Sequence, residues 1–166
     1  MNNTTQYPLG ELIARIEQTH HVFTRAALAQ IKGLLNSTDA AGTAGIRRCF
    51  EELEADLLPH LMKEERILFP YIVALEGSPG QPAESCFGSV ANPIGMMNRE
   101  HRAVDGLLQQ LRGLTDNYRA LSGPGPGVPA LYSALAELDR DLVEHMHQEN
   151  DVLFPQALEL ERNVCG

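Results

Sequence analysis

His60 and Glu64 stand one helical turn apart, and so do His145 and Glu149, inside two stretches that repeat each other. Residues 56–70 read DLLPHLMKEERILFP and residues 141–155 read DLVEHMHQENDVLFP. A shift of 85 positions lays His60 on His145, Glu64 on Glu149, Phe69 on Phe154 and Pro70 on Pro155. The polar pairs fall on apolar seams. Ile46, Phe50, Leu53, Leu57, His60, Glu64 and Ile67 follow a 4-3-4-3 spacing, and Leu131, Leu135, Leu138, Leu142, His145, Glu149 and Val152 repeat it. An ionised carboxylate in a helical core is costly unless it is paired or binds a metal. Two helices that each carry this cost at the same depth point to one shared metal site.

The other two helical segments show a weaker form of the same duplication. A shift of 80 lays His21 on His101, Leu28 on Leu108, Gly33 on Gly113 and Leu34 on Leu114. The chain therefore reads as two helix pairs, each with His on its first helix and His-x-x-x-Glu on its second. His20 competes with His21, because it fits the apolar rhythm of Leu9, Ile13, Ile16, Phe23 and Ala27 better. Asp105, one turn after His101, is a candidate extra ligand or orienting partner. His147, Glu65, Arg66 and Asp151 read as surface residues. Imidazole with carboxylate suits iron, manganese or zinc, and the lack of thiolate in the pattern argues against iron–sulfur chemistry.

The elements that must position these residues are four helices. The first runs from about Pro8 or Leu9 to Leu35, and the second from about Gly45 to Leu75. A Gly, Pro and Ser-rich crossover spans Glu76 to Asn92, with Asn92 as an N-cap and Pro93 at the first helical position. The third helix continues to about Leu121 on a seam of Ile94, Met97, His101, Val104, Leu108 and Leu111. Gly123 to Gly127 break the chain, and a fourth helix opens at Pro129 and ends near Arg162. Helices of about 27 residues are roughly 40 Å long, a normal length for a bundle. Pro70 and Pro155 should kink their helices, since apolar residues continue beyond both. The expectation is an all-α antiparallel four-helix bundle, a single domain over residues 1–166 with its core at about 9–162.

Composition sets further bounds. A chain of 166 residues with 43% hydrophobic residues and no Trp suits one compact helical domain. A formal net charge of −9 argues against nucleic acid or an anionic membrane as partner. No stretch approaches the roughly 20 apolar residues of a membrane span, and the N-terminal residues lack a secretory pattern. Cys49, Cys86 and Cys165 share no metal-type spacing and read as reduced thiols in a cytoplasm, Cys86 being open to redox chemistry.

With Thr19-His20-His21 and Arg25, HLMKEERILFP at 60–70, NPIGMMNREH at 92–101 and HMHQENDVLFP at 145–155, the sequence resembles the hemerythrin-like cation-binding domain. Within that family it is most similar to the group implicated in repairing iron–sulfur clusters after nitric oxide or peroxide damage. The resemblance implies a non-haem centre of two irons, bridged by an oxo or hydroxo group, with zinc or manganese as possible recombinant substitutes. It makes His21, His60, His101 and His145 terminal ligands and Glu64 and Glu149 bridges, and it favours His21 over His20. It also implies nitric oxide, O2 or hydrogen peroxide as small ligands and damaged iron–sulfur proteins as partners. Three positions depart from family patterns. Asp105 stands where oxygen carriers have a second His, and Asn150 stands where they have the last carboxylate. The stretch from Leu34 to Arg48 lacks the fifth His of repair-type members. A sensor acting through a partner, a di-iron oxidase or peroxidase, and a structural bundle holding zinc or no metal are the rival functions.

Overall fold

The computed structural model describes residues 8–38, 42–77, 88–119, 125 and 127–165. These residues form four helices and no strand. Helix α1 joins Leu9–Ile16, Glu17–His21 and Val22–Ser37; α2 joins Thr43–Lys63, Glu64–Leu68 and Phe69–Gly77. Helix α3 is Ala91–Leu114, and α4 joins Val128–His147, Gln148–Leu153 and Phe154–Cys165. The middle segments of α1, α2 and α4 are wide π turns. Consecutive helices run antiparallel, with α1 packed most extensively along α4 and α2 along α3. Ion pairs knit α1 to α2, Arg25 to Glu65 and Lys32 to Glu54.

The π turns reset the apolar register. Phe69 N–H reaches back to the Glu64 carbonyl and Phe154 N–H to the Glu149 carbonyl, five residues each rather than four. The extra residue rotates Leu68 and Leu153 into the core. Ile67, expected on the seam, is 47% exposed, and Val152 is half-buried. The same turns carry the helices past Pro70 and Pro155, whose rings supply no N–H. In α1 the wide turn lengthens the step from Ile16 to the next fully buried side chain, His21, to five residues. That added residue is why the apolar rhythm favoured His20.

Helix ends follow the duplication too. The Glu76 carboxylate accepts from the Leu9 and Gly10 N–H groups at 2.7 and 2.9 Å, capping α1 from the far end of α2. Glu161, 85 positions on, accepts from Val90 N–H and Ser89 Oγ, both at 2.7 Å, and caps α3 in the same way. With this cap α3 starts at Ala91, so Asn92 is not its N-cap and Pro93 lies within the first turn. Gly42 and Gly127, another pair 85 apart, hold φ of 98° and 90° before α2 and α4. Helix α3 stops at Leu114, short of the expected Leu121. Thr115 turns its hydroxyl onto the Leu111 carbonyl at 2.6 Å, and Asp116, Asn117 and Tyr118 take positive φ. Tyr118 Oη donates to Asp139 at 2.6 Å, and Arg112 grips the same carboxylate through two nitrogens, tying this turn to α4. Cys49 is buried as a free thiol, while Cys86 lies outside the described residues.

The core has two apolar blocks. One gathers residues such as Leu28, Ile31, Phe50, Leu53, Leu108, Leu135 and Leu138. The other gathers Ile13, Ile16, Leu68, Ile72, Ile94, Met97 and Leu153. Between them lies a polar layer of histidines and glutamates.

Candidate metal centre

All six expected donors meet in that layer. His21, His60, His101 and His145 are at most 3% exposed, and Glu64 and Glu149 are fully buried. They sort into two groups, His21 with His145 and His60 with His101, and both groups contain Glu64 and Glu149. Within each group the donor atoms lie within 4.8 Å of one another. The Nε2 atoms of His21 and His145 are 3.2 Å apart, and those of His60 and His101 are 3.1 Å apart. Each carboxylate divides its oxygens between the groups. Glu64 Oε2 lies 3.4 Å from His21 Nε2 and Oε1 lies 3.1 Å from His60 Nε2. Glu149 Oε1 lies 3.0 Å from His145 Nε2 and Oε2 lies 3.2 Å from His101 Nε2.

The donor set fits a pair of metal ions. Atoms about 3.0–3.4 Å apart form the edge of a coordination shell whose bonds are about 2.1 Å long. Both oxygens of Glu64 and Oε2 of Glu149 are buried without a hydrogen-bond partner, a cost that only a cation or protonated neighbours offset. In the metal-free chain the imidazoles take that part. Burial works to lower the His60 pKa, but the neighbouring Glu64 charge and the hydrogen bond to Glu100 outweigh it and push it up to about 9. His145 is raised in the same way: burial opposes, and Glu149 prevails. Burial works to raise Glu149, yet His145 and His101 hold it well below the usual carboxylate range.

Three of the four histidines are oriented from behind by side chains whose role the sequence did not disclose. Nδ1 of His21 bonds Glu65 at 2.8 Å, and Arg25 grips that carboxylate at 2.9 and 3.0 Å. Nδ1 of His60 bonds Glu100 at 2.8 Å, which Lys63 also holds. Nδ1 of His101 bonds Asn150 at 2.8 Å. Glu65 is thus a half-buried partner of a histidine rather than a solvated residue, and Arg25 and Lys63 hold both supporting carboxylates below their ordinary pKa despite partial burial. The one trace of them in the sequence is adjacency, since each supporting residue flanks a donor. Phe69 stacks on His21 at 5.7 Å and Phe154 on His101 at 5.9 Å, which explains the aromatic residue of both LFP stretches.

The remaining candidates fall outside both groups. His20 gives Nδ1 to Asp141 at 2.9 Å and receives the Gln148 amide on Nε2 at 3.2 Å, so neither nitrogen is free for a metal. Asp105 accepts from Gln109 at 2.7 Å. His147 is exposed and pairs with Asp151.

Fold and centre together define a helical bundle with a buried cluster of histidines and carboxylates that could hold metal ions. The sequence matches the Hemerythrin HHE cation binding domain over residues 11–157, and the chain belongs to that family. Among its relatives is the iron-sulfur cluster repair protein YtfE of Edwardsiella ictaluri, 37% identical over 92% of this chain and 67% of that protein. YtfE of Musicola paradisiaca is 33% identical over 91% of this chain and 66% of that one. The iron-sulfur cluster repair protein DnrN of Neisseria gonorrhoeae is 32% identical over 92% of this chain and 93% of its own length. The chain thus spans about two thirds of the YtfE relatives and nearly all of DnrN. Among the described residues no helix is long and apolar enough to cross a membrane.

Proposed function

We propose that this chain holds two iron ions, one between His21 and His145 and one between His60 and His101, with Glu64 and Glu149 spanning both. We propose further that it serves in repairing iron–sulfur clusters damaged by nitric oxide or oxidants in the cytoplasm. The observation that carries the first part is the sharing of both carboxylates by two histidine pairs. The names of relatives that align over nearly the whole chain support the second. Bound iron would supply redox-active sites with affinity for nitric oxide, O2 or peroxide, and would itself be the cargo handed to a damaged cluster.

The protein's own part is to prepare the donors. Burial between two apolar blocks keeps bulk water from the carboxylates. Glu65, Glu100 and Asn150 fix the planes of three imidazoles. Four protein donors per ion are fewer than the six of an octahedral shell, which suits a centre that binds small ligands and can part with its metal. The test is to mix iron-loaded protein, without air, with an iron–sulfur enzyme inactivated by nitric oxide. Recovery of enzyme activity together with loss of iron from this protein is expected. No recovery beyond that given by the same amount of free ferrous ion would overturn the repair role.

A further inference from the structure

The internal repeat breaks twice behind the histidines: Asn150 backs His101 where Glu65 backs His21, and the carboxylate behind His60 has no counterpart behind His145. His60 is held from behind by Glu100. The repeat places His145 opposite His60 and His20 opposite Glu100. His20 makes no hydrogen bond to His145. It stacks on that ring instead, centroids 5.4 Å apart and planes within 4°, and spends its nitrogens on Asp141 and Gln148. Gln148 takes the place of Lys63, so the side chain gripping the orienting residue is matched even though the orienting carboxylate is gone. Nδ1 of His145 is consequently a buried nitrogen with no partner, alone among the four histidines.

A second exchange accompanies the first. Glu100 faces a cleft of about 180 Å³ lined also by Asp56, Pro59, Lys63 and Val104. In the other half the repeat replaces Val104 by Thr24 and keeps the acid, Asp56 becoming Asp141. Thr24 is fully buried and its hydroxyl has no partner; Oδ2 of Asp141 is likewise buried and unpartnered. Asp141 lies one turn before His145 on α4, and Thr24 lies one turn after His20, the residue that bonds Asp141 and stacks on His145. Unpartnered buried donors and acceptors gathered about the His20–Asp141 pair are the setting of an ordered water.

We propose that a buried water, held by Thr24 Oγ1 and Asp141 Oδ2, accepts the Nδ1–H of His145 and orients it, with His20 fixing Asp141. This relay stands in for a direct side-chain partner and, less firmly fixed than the Asn150 bond behind His101, makes the His21–His145 ion the more readily exchanged of the two. The inference rests on the dinuclear reading of the centre. His20, Thr24 and Asp141 are positioning residues, not ligands.

The test follows iron removal from doubly loaded protein by a ferrous chelator, together with proton and nitrogen NMR of the zinc-loaded chain. Chelation should occur in two phases. His20→Glu, which restores a carboxylate behind His145, should slow the faster phase about 10–100-fold, and Thr24→Val should quicken it by a similar factor. Thr24→Ser, which keeps the hydroxyl, should behave as the parent. The Nδ1 proton of His145 should show exchange with water in the parent and a shift to a carboxylate-bonded position in His20→Glu. Parent-like kinetics and spectra in His20→Glu and Thr24→Val overturn this inference and leave the dinuclear reading standing. A parent chain that never takes up two metals brings down both.

Discussion

Glu64 touches both histidine pairs, and so does Glu149, so neither carboxylate can be lost from one half of the centre alone. Glu64→Ala or Glu149→Ala should therefore abolish binding of both metals rather than one, checked by elemental analysis of protein loaded with excess iron. The metal-free bundle should remain folded but less stable, because the variant loses the carboxylate's attraction for the neighbouring imidazoles along with its desolvation cost. Retention of one full metal equivalent in either variant would show that the carboxylate serves one ion only. Substitution of Glu65 or Asn150 should act more softly, since these residues orient His21 and His101 without entering either donor group. A loss of about 10–100-fold in metal affinity is expected, read by chelator competition.

At the scale of the helix, the π turns decide which side chains the bundle buries. Leu68→Ala should cost about 2–5 kcal/mol, as for a large core residue. Ile67→Ala, one position earlier, should stay within about 0.5 kcal/mol, as for a surface change. Denaturant unfolding of the metal-free forms measures both, and equal costs would contradict the register described. Gly127→Ala should destabilise by about 1–2 kcal/mol, because its φ of 90° disfavours a side chain and a Cβ there would meet Thr38 Oγ1 at 2.8 Å. These elements also show how far the sequence could be read. The seams from Ile46 to Glu64 and from Leu131 to Glu149 were legible because they are regular α-helix up to the point where each π turn begins, and all those residues are buried. Regular periodicity has no term for a five-residue turn, so Ile67 was placed inside and His20 rivalled His21. The caps from Glu76 and Glu161 escaped for a different reason: they come from another helix, more than 60 residues away in sequence, where local cap patterns do not look.

Across the whole molecule, the histidine–glutamate layer divides the core into two apolar blocks and couples its stability to protons. In the metal-free chain His60 titrates at about 9, above its ordinary 6.5, because Glu64 outweighs burial. A folded-state pKa above the unfolded one gives stability that is fully present below about 6.5 and is lost as pH rises through about 9. Thermal melts of the metal-free protein should therefore fall in midpoint across that window. With metal the trend should reverse toward acid, since ligating imidazoles must shed the competing proton and metal binding weakens as pH falls. The measurement that bears most directly on the central claim is iron titration of the metal-free chain, followed by counting bound iron and measuring its magnetism. About two irons per chain with coupled spins are expected, since shared carboxylates hold the two ions close together. Saturation at one iron, or two irons that are magnetically independent, would contradict it.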